Sequence, residues 1–507
     1  MALHILFAWL ALFLPLLLFL FSVKNSNNKK KNFPPGPPPL PIIGNLHQLG
    51  HLPHQSLWKL SRRYGPVMLI RLGGVPAIVA SSPEAAREVL KTHDLDCCSR
   101  PRLVTTGRLT YDSLDVAFVE YGNYWRELKK LYVLELFSAK RVHSFRYIRE
   151  EEVGSMIESI AKSAESGTLI NLSQKFVALT ANFTCRVAFG KALRWAEFED
   201  GRFMHLTHEA LAMLGSFSAS DYFPRFGWIV DRFTGLHSRL EKSFHNLDDL
   251  YQKVIEEHRN ANKSNEGKED IIDLLLKMEK DQTEFAGLRL KEENIKAILM
   301  DIFLGGMDTA AIMLDWTMAE LVRNPRVMRK AQEEIRSCVG NKKWVGEDDL
   351  SKLKYLNLVL KEVMRLHPPS VLLLPRETMD HFKLYGYDVD PKSRVLVNVW
   401  GIGRDPGLWE RPEEFVPERF EESSIDYKGN HFELLPFGAG RRRCPGMSFA
   451  MATVELTLAN VLHSFDWELP EGMTERDVSI EEGAGIAVFK KVPLTLLPVK
   501  VSHEANA

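Results

Sequence analysis

Hydrophobic and polar positions follow two different periods along most of the chain. From about residue 120 to residue 370, apolar side chains recur every three to four residues, which predicts amphipathic helices. The clearest of these stretches are Leu236–Arg259, Glu269–Lys280 and Leu350–Leu366. Shorter strand-like pieces lie at 67–72, 77–80, 384–399 and 486–497. The pattern predicts a mainly α protein, with one large helical domain and a small β-rich lobe.

The N-terminal residues have no such period. Residues 5–21 contain no charged side chain, and the first charged residue is Lys24. This run exceeds the roughly 7–15 residue core of a cleaved signal peptide and, with its flanks, approaches the roughly 20 residues that span a bilayer. Lysines follow directly, so the positive-inside rule places the rest of the chain in the cytosol. We predict a single transmembrane anchor over residues 1–23; a cleaved signal peptide is the alternative.

Residues 24–41 are basic and then rich in proline, with six residues reading Pro-Pro-Gly-Pro-Pro-Pro from Pro34. Proline fixes φ and removes a backbone donor, so this stretch predicts a stiff, extended tether. A recognition site for a proline-binding module is the alternative. Residues 42–507 then form the predicted catalytic domain.

Composition excludes several classes of protein. The 507 residues contain 65 Lys and Arg against 66 Asp and Glu, so the formal net charge is −1. A nucleic-acid-binding protein normally has a basic excess, so we expect no nucleic-acid partner. Five scattered cysteines are too few for a disulfide framework, which indicates a reducing compartment.

One cysteine lies in a distinctive context, the decapeptide Phe437–Gly446. Pro445 suits a first helical position ahead of the apolar stretch Met447–His463, so we expect Cys444 beside a helix N-terminus, where thiolate is favoured. The glycines of the decapeptide would let the backbone approach a flat ligand, and Arg442 could pair with its acid groups. These residues predict a thiolate that binds a metal or attacks an electrophile. For Cys97, Cys98, Cys185 and Cys338 we expect ordinary packing roles.

A long helix is predicted over residues 291–323, with Gly305-Gly306-Met307-Asp308-Thr309 in its middle. Two glycines cost about 1 kcal/mol each relative to alanine in a helix, so a ligand close to the backbone is one explanation and tight helix packing is another. Thr309 could hydrogen-bond to a carbonyl or to water, and Asp308 could take part in a proton chain.

The decapeptide resembles the haem-binding signature of the cytochrome P-450 superfamily, Phe-x-x-Gly-x-Arg-x-Cys-x-Gly. The resemblance implies the cytochrome P-450 fold, haem b (iron protoporphyrin IX) as cofactor and Cys444 as the axial iron ligand. Cofactor contacts are implied for the other matching residues, Phe437, Gly440, Arg442 and Gly446.

Three more segments resemble landmarks of this family. The Gly305–Thr309 run is similar to its oxygen-activation motif, which implies proton delivery by Asp308 and Thr309, although Gly305 replaces the alanine usual in plant members. The resemblance also implies a buried network of Glu362, Arg365 and Arg419. Contacts with the haem propionates are implied for Trp125, Arg126, Lys129 and Arg376, with Lys129 standing where the family has arginine.

The anchor, the tether and the segments Glu88–Pro101 and Asp405–Phe420 look most like plant microsomal members. This likeness implies the endoplasmic reticulum membrane, with the lipid bilayer as a partner and the catalytic domain in the cytosol. It also implies O2 and NADPH as co-substrates. The chain has no Gly-x-Gly-x-x-Gly fingerprint, so electrons are expected from NADPH–cytochrome P-450 reductase, which could dock on the basic residues Lys129, Lys130, Lys140, Arg141 and Arg441–Arg443.

By resemblance, the substrate pocket is formed by segments near 100–119, 203–230, 301–309, 370–374 and 483–488. The six residues predicted to line it are Phe118, Ile302, Gly305, Val371, Leu372 and Ala487. Such apolar walls suit a small lipophilic substrate. A terpenoid is favoured over an alkaloid or phenylpropanoid. The expected reaction is monooxygenation; a haem-thiolate isomerase or dehydratase and a lipid- or hormone-binding protein without chemistry are the alternatives.

Overall fold

The structure is a computed structural model that describes residues 31–190, 202–260, 269–281, 289–340 and 342–501. The predicted anchor over 1–23 and the first residues of the tether lie outside this part of the chain.

Helices make up most of the described chain, as the periodicity predicted. In chain order they are α1 Pro53–Tyr64, α2 Pro83–Arg87, α3 Asp94–Cys97, α4 Val104–Leu109, α5 Asn123–Leu131, α6 Ala139–Ser144, α7 Arg146–Glu165, α8 Leu172–Phe189, α9 Arg202–Leu214, α10 Gly227–Phe233, α11 Leu236–Asn260, α12 Ile271–Lys280, α13 Glu292–Arg323, α14 Pro325–Val339, α15 Glu347–Leu350, α16 Lys354–Leu366, α17 Val399–Ile402 and α18 Met447–Ser464. Helices α2 and α5 continue as short π-helical turns over Glu88–Thr92 and Tyr132–Leu136.

The strands form four small sheets. They are β1 Val67–Leu72, β2 Val75–Ala80, β3 Ile170–Asn171, β4 Arg376–Glu377, β5 Phe382–Leu384, β6 Tyr387–Val389, β7 Arg394–Val397, β8 Phe465–Glu468, β9 Glu482–Gly483, β10 Phe489–Lys490 and β11 Thr495–Lys500. The largest sheet has the order β1-β2-β7-β4, with β2 and β7 parallel and the other pairs antiparallel. The remaining sheets are β3-β11-β8, β9-β10 and β5-β6.

Helix α13 runs through the centre of the helical domain and is buried on nearly every side. It packs mainly against α8 and also contacts α16 and α18. A helix that is apolar all round must be enclosed by protein or by lipid. Among the described residues, α13 is the one helix long and apolar enough to cross a membrane, and most of it is buried inside the domain. It is therefore a core helix, and it forms one wall of the site.

The described part of the tether, residues 31–41, packs against the β-rich lobe. The carbonyl of Pro35 accepts a hydrogen bond from the Leu69 N–H of β1 at 2.9 Å. A Cβ at Gly36 would overlap the Leu69 carbonyl, so only glycine allows this approach. Lys31 Nζ also lies 2.7 Å from Asp390 Oδ1. The proline-rich stretch is thus extended, as expected, but it is fixed to the domain along the edge of β1.

Candidate active site

A cavity of about 360 Å³ lies between the middle of α13 and the loop that precedes α18. Cys444, Phe437, Gly438 and Ala439 line one wall, and the Gly305–Thr309 segment lines the opposite wall. The lining is mostly apolar. Two segments predicted from the sequence to act on the same chemistry, Gly305–Thr309 and Phe437–Cys444, therefore face a common space although they are far apart in the chain.

The Cys444 loop is held by its own backbone before α18 begins. The Cys444 N–H donates to the Phe437 carbonyl at 3.0 Å, which closes the loop on itself. Helix α18 begins at Met447 with Gly446 as its N-cap, so the prediction that Pro445 is the first helical residue is wrong. Gly438 has a φ of +67° and lines the cavity, where a side chain would be strained.

The Cys444 side chain is exposed to the cavity that it lines, and protein surrounds the thiol beyond that cavity. Burial raises its pKa, and the Gly446 N–H together with the charges of Lys129 and Arg443 lowers it only in part. We had expected the helix terminus to lower this pKa outright. The terminus begins three residues later, so desolvation dominates. A thiolate here therefore needs a cation bound directly to the sulfur, which is what a metal ion supplies.

Four basic side chains line the same cavity: Arg100, Lys129, Arg376 and Arg442. Burial and the charges of Arg442 and Arg376 lower the pKa of Arg100, and burial lowers the pKa of Arg442 to about 10. Burial, together with the neighbouring arginines, lowers the pKa of Lys129 to about 8. These cations repel one another in a place poor in water, so the group is suited to a ligand with negative charges.

Sequence reasoning missed Arg100, which is buried beside the predicted residues. Its guanidinium donates to the carbonyls of Ala117, Leu374 and Pro375 at 2.8, 2.8 and 2.9 Å. It follows Ser99 and precedes Pro101 in a segment without helical period, so no pattern in the chain marked it.

Arg376 and Arg442 are fixed by partners from distant segments. Arg376 pairs with Asp94 at 2.8 Å and donates to the Ala439 carbonyl at 3.2 Å. Arg442 donates to the carbonyls of Cys98, Val116 and Val119 at 2.8, 3.2 and 2.7 Å, and its guanidinium lies 4.4 Å from the centre of the Trp125 ring. Both arginines thus join the Cys444 loop to the chain that surrounds it.

Helix α5 contributes two of its three predicted residues to the cavity. Trp125 is buried and donates to the Val116 carbonyl at 3.2 Å, and Lys129 Nζ donates to the Arg443 carbonyl at 2.6 Å. Arg126 lies on the opposite, exposed face and bonds to the Asn123 side chain. The structure therefore places Arg126 away from the cavity, because adjacent residues of a helix point about 100° apart.

Gly440 and Gly446 differ from each other in their surroundings. Gly440 has a φ of +69°, and a Cβ there would overlap the Leu90 carbonyl and approach Asp94 Oδ1 at 2.8 Å. It does not line the cavity, so its glycine is required by the packing of protein against protein. Gly446 lines the cavity and lies beside the Cys444 sulfur.

The opposite wall on α13 has free hydrogen-bonding capacity. Thr309 Oγ1 donates to the Gly305 carbonyl at 2.7 Å, which leaves its oxygen lone pairs directed at the cavity. Burial raises the pKa of Asp308 to about 6, and within the described chain its carboxylate has no ion-pair or hydrogen-bond partner. A Cβ at Gly305 would meet nothing within 4 Å, whereas one at Gly306 would lie 3.6 Å from Thr184 of α8. One glycine opens the cavity, and the other allows close helix packing.

The cavity residues fit an iron porphyrin. The Cys444 thiol is able to bind the iron, the apolar walls suit the porphyrin ring, and the four cations suit the two carboxylates of the porphyrin. The comparisons with known proteins agree. The model of the family described as "Cytochrome P450" matches residues 34–497. The chain belongs to the cytochrome P450 family.

Plant members of the family are similar over nearly the whole chain. Cytochrome P450 71B10 of Arabidopsis thaliana is 51% identical over 495 residues, which cover 97% of this chain and 98% of that protein. Cytochrome P450 71B9 of the same plant is 52% identical over 464 residues, 92% of each chain. A zebrafish cytochrome P450 solved with abiraterone superimposes with a TM-score of 0.75 at 27% identity, covering 90% of this chain and all of that one.

Membership of the family establishes the fold and the class of reaction. This chain has the cytochrome P450 fold, and it is a cytochrome P450 monooxygenase, an oxidoreductase that requires haem.

Behind the cavity of this cytochrome P450, Glu362, Arg365 and Arg419 meet. The two side chains on α16 are fully buried, and Arg365 donates two parallel hydrogen bonds to the Glu362 carboxylate, each of 2.8 Å. Arg419 Nε donates to the same carboxylate at 3.0 Å, and Val416 N–H adds a fourth bond at 2.8 Å. Arg365 also donates to the carbonyls of Gly403, Pro412 and Glu414. The network therefore ties α16 to the long segment that leads to the Cys444 loop.

Four of the six predicted substrate-pocket residues line the cavity: Phe118, Ile302, Gly305 and Ala487. Val371 and Leu372 do not. Leu372 packs against the cluster formed by α1 and the β1-β2 hairpin, and the Val371 carbonyl accepts from the Trp400 N–H at 3.2 Å. Instead, the neighbouring Leu373 and Leu374 line the cavity, and Leu211 and Leu214 of α9 close its far side. A segment without regular structure has no period from which the inward-facing residues could be read.

Proposed function

We propose that this cytochrome P450 uses O2 and electrons from NADPH, delivered by a separate reductase, to insert one oxygen atom into a small lipophilic plant specialised metabolite. The observation that supports this proposal best is the facing arrangement of Cys444 and the Asp308–Thr309 pair across one cavity. When bound, haem supplies the oxygen chemistry, favoured by electron donation from the thiolate.

Each wall has its own role. Cys444 holds the iron. Lys129, Arg376, Arg442 and, beyond the sequence prediction, Arg100 neutralise the acid groups of the cofactor. On α13, Asp308 and Thr309 hold and transfer protons at the carboxylate and the hydroxyl oxygen. We assign Glu362, Arg365 and Arg419 to folding and to retention of the cofactor.

Electron transfer requires a partner, and we propose an acidic flavoprotein reductase that docks on the Cys444 side. Lys129 Nζ donates to the Arg443 carbonyl there, and the Arg443 guanidinium donates to the Lys428 carbonyl, so Lys129 and Arg443 are neighbours on this side. Lys140 is exposed. Other basic residues of this region already pair with acids, Lys130 with Glu127 and Arg141 with Glu269, which leaves a smaller docking charge than the sequence suggests.

The substrate is proposed to be a neutral lipophile, with a terpenoid favoured over an alkaloid or a phenylpropanoid. The cations of the cavity all belong to the cofactor side, whereas the titratable groups near Ile302 and Gly305 are the acids Asp301 and Asp308. Among the described residues, the lining near Ile302 and Gly305 offers no cation to a carboxylate substrate. Val371 lies outside the cavity, and the apolar lining by Phe118, Ile486 and Ala487 supports the proposal.

Membrane association at the endoplasmic reticulum is proposed on two features. The first is the apolar run over residues 5–21. The second is α10, where Trp228, Ile229, Val230 and Phe233 are exposed, Phe233 at 89%. The exposed Ile42 and Ile43 of the N-terminal segment lie on the same side, because Gly73 N–H bonds to Ile43 and Gly74 N–H bonds to Tyr222 ahead of α10. Such a surface suits the boundary of a bilayer.

The test starts from protein in microsomes with a panel of terpenoids, alkaloids and phenylpropanoids. We expect a thiolate-type reduced carbon monoxide spectrum and a shift to high-spin iron with one class. Turnover of that class should then require NADPH and reductase, with one atom of labelled O2 in the product. Product without NADPH would instead favour a haem-thiolate isomerase or dehydratase. Haem retention unaffected by Cys444→Ser would favour a binding protein without chemistry.

The membrane assignment has its own test. Deletion of residues 1–23 should weaken membrane association and leave the haem spectrum intact. Loss of the spectrum in the truncated protein would contradict the separation of anchor and catalytic domain.

A further inference from the structure

Besides Asp308, two other acids, Asp115 and Asp301, lie close together beside the cavity. Asp115 belongs to the loop between α4 and α5, and Asp301 belongs to α13. The N–H groups of Ala117 and Phe118 donate to Asp115 Oδ2 at 3.1 and 2.9 Å. The Val116 N–H donates to Asp301 Oδ2 at 2.8 Å. Both acids therefore hold the short loop that places Phe118 in the pocket.

One oxygen of this pair lacks an ordinary donor. Asp115 is fully buried, and its Oδ1 has no N–H or O–H partner among the described residues. Its side-chain neighbours are the Thr110 hydroxyl, which donates to the Thr106 carbonyl at 2.8 Å, and the Asp301 carboxyl group. Two neighbouring carboxyl groups can hydrogen-bond to each other only if one of them has a proton.

The surroundings indicate which acid has the proton. Burial raises the pKa of both acids, and the charge of Asp115 raises that of Asp301 further, while the cations of Arg100 and Arg442 act on the Asp115 side. The other titratable groups that face the pair are Tyr124 and Tyr132 from α5 and its extension, and Tyr251 from α11. Tyr132 donates its hydroxyl proton to Asp301 Oδ2 at 2.7 Å, so it stabilises either state of that acid.

We propose that Asp115 and Asp301 share one proton and act as positioning residues, joining the Phe118 loop to α13 and so setting the shape of the substrate pocket. The proposal rests on the proposed function, since the pocket is where that function places the substrate. The pair connects the Phe118 loop to α13, as does Tyr124, which accepts from Asn294 at 2.9 Å and donates to the Leu114 carbonyl at 2.7 Å. Each wall supplies pocket residues: Phe118 on the loop, Ile302 and Gly305 on the helix.

Infrared spectroscopy tests the shared proton directly. At mildly alkaline pH, Asp308 and Glu455 are ionised, because their pKa values are about 6 and about 7. We expect the wild-type protein to retain a protonated-carboxyl C=O band under these conditions, and Asp301→Asn to lose it. Asp315→Asn is the matched control: Asp315 is a buried aspartate of the same helix that accepts from Ser173 at 2.6 Å, and its pKa is about 6. An identical band in wild type and Asp301→Asn would overturn the shared proton.

Ligand binding tests the positioning role on haem-loaded protein. Imidazole binds the iron alone, whereas 4-phenylimidazole also extends a ring toward the pocket wall. We expect Asp301→Leu to raise the dissociation constant of 4-phenylimidazole about tenfold and that of imidazole by no more than about twofold. Asp301→Asn should restore wild-type binding, because its amide can donate to Asp115 and accept from Val116. Asp315→Asn should leave both constants unchanged.

The outcomes separate this inference from the proposed function. Wild-type 4-phenylimidazole binding in Asp301→Leu would overturn the positioning role even with a normal haem spectrum. Absence of a thiolate-type spectrum in wild-type protein would contradict the proposed function, and the infrared comparison would still decide the inference. If Asp301→Leu fails to fold, the infrared result with the isosteric Asp301→Asn decides alone.

Discussion

The two walls of the cavity are built in opposite ways. On the Cys444 side, nearly every polar group is engaged: Arg442 donates to three carbonyls, Arg376 pairs with Asp94, and Lys129 bonds to the Arg443 carbonyl. On the α13 side, Asp308 has no partner among the described residues and Gly305 exposes bare backbone. A metal ligand needs a fixed position, whereas proton transfer needs groups whose hydrogen bonds are not already used.

The largest effect is expected from a substitution at Cys444, on the Cys444 side of the cavity. Replacing Cys444 by serine removes the soft thiolate, so the thiolate-type carbon monoxide spectrum and turnover should disappear. Cys338→Ser is the control, since Cys338 lies on α14, away from the cavity. A Cys444→Ser protein with an unchanged spectrum would remove the basis for the contrast between the walls.

The second largest effect is expected in the buried network of Glu362, Arg365 and Arg419, which lies behind the cavity. Glu362→Ala leaves the buried Arg365 and the nearly buried Arg419 without their shared carboxylate, which should lower the free energy of unfolding by about 3–5 kcal/mol and reduce haem content. Glu165→Ala is the control: Glu165 and its partner Lys500 are both exposed, so this change should cost under about 1 kcal/mol. Thermal denaturation of both variants checks the difference. Equal losses would mean that the buried network gives no special support.

On the helix wall, a smaller and more specific effect is expected. Thr309→Ala should lower the product formed per NADPH about tenfold and raise peroxide release, with haem content unchanged, since it removes a proton donor without disturbing the fold. The control is Thr317→Ala on the same helix, where Oγ1 donates to the buried Met313 carbonyl at 2.7 Å. Unchanged coupling in Thr309→Ala would contradict the role of this wall in proton delivery.

The smallest effect is a pH-dependent stability change at Asp308. Its pKa is raised to about 6 in the folded protein, so the fold favours the protonated acid, and the contribution of Asp308 to wild-type stability falls as pH rises from about 4 to above 6. Asp308→Asn removes this dependence. Its unfolding temperature should exceed that of the wild type by about 2–4 °C at pH values above 7, and the difference should shrink toward pH 4. A difference that is constant with pH would mean that Asp308 is ionised with equal ease in both states.

Local patterns predicted local structure well. The helix predicted over 236–259 is Leu236–Asn260, and the one predicted over 291–323 is Glu292–Arg323. The strand-like pieces near 67–80 form the β1-β2 hairpin. In each case the periodic burial depends on the order of residues within one short stretch, so it can be predicted from the sequence alone.

Predictions failed where the answer depends on what a residue packs against. Gly440 was assigned to the cofactor because of its motif, yet Leu90 and Asp94 are the neighbours that require glycine. Arg126 follows Trp125 in the motif but lies on the other face of α5. Arg100 lies in the segment Glu88–Pro101 that resembles plant members, but only the fold shows that it lines the cavity.

The sequence by itself determined the helical architecture, the family and the residues able to do the chemistry, because period, composition and short motifs are encoded within a few neighbouring positions. The tertiary structure alone decided which of those residues meet. It placed four cations around one cavity and brought Asp115 next to Asp301. It also enclosed Cys444, so that burial raises the pKa of its thiol. The reason is physical: desolvation and charge interaction depend on distances in space, and contacts between residues far apart in the chain are fixed only when the whole domain packs.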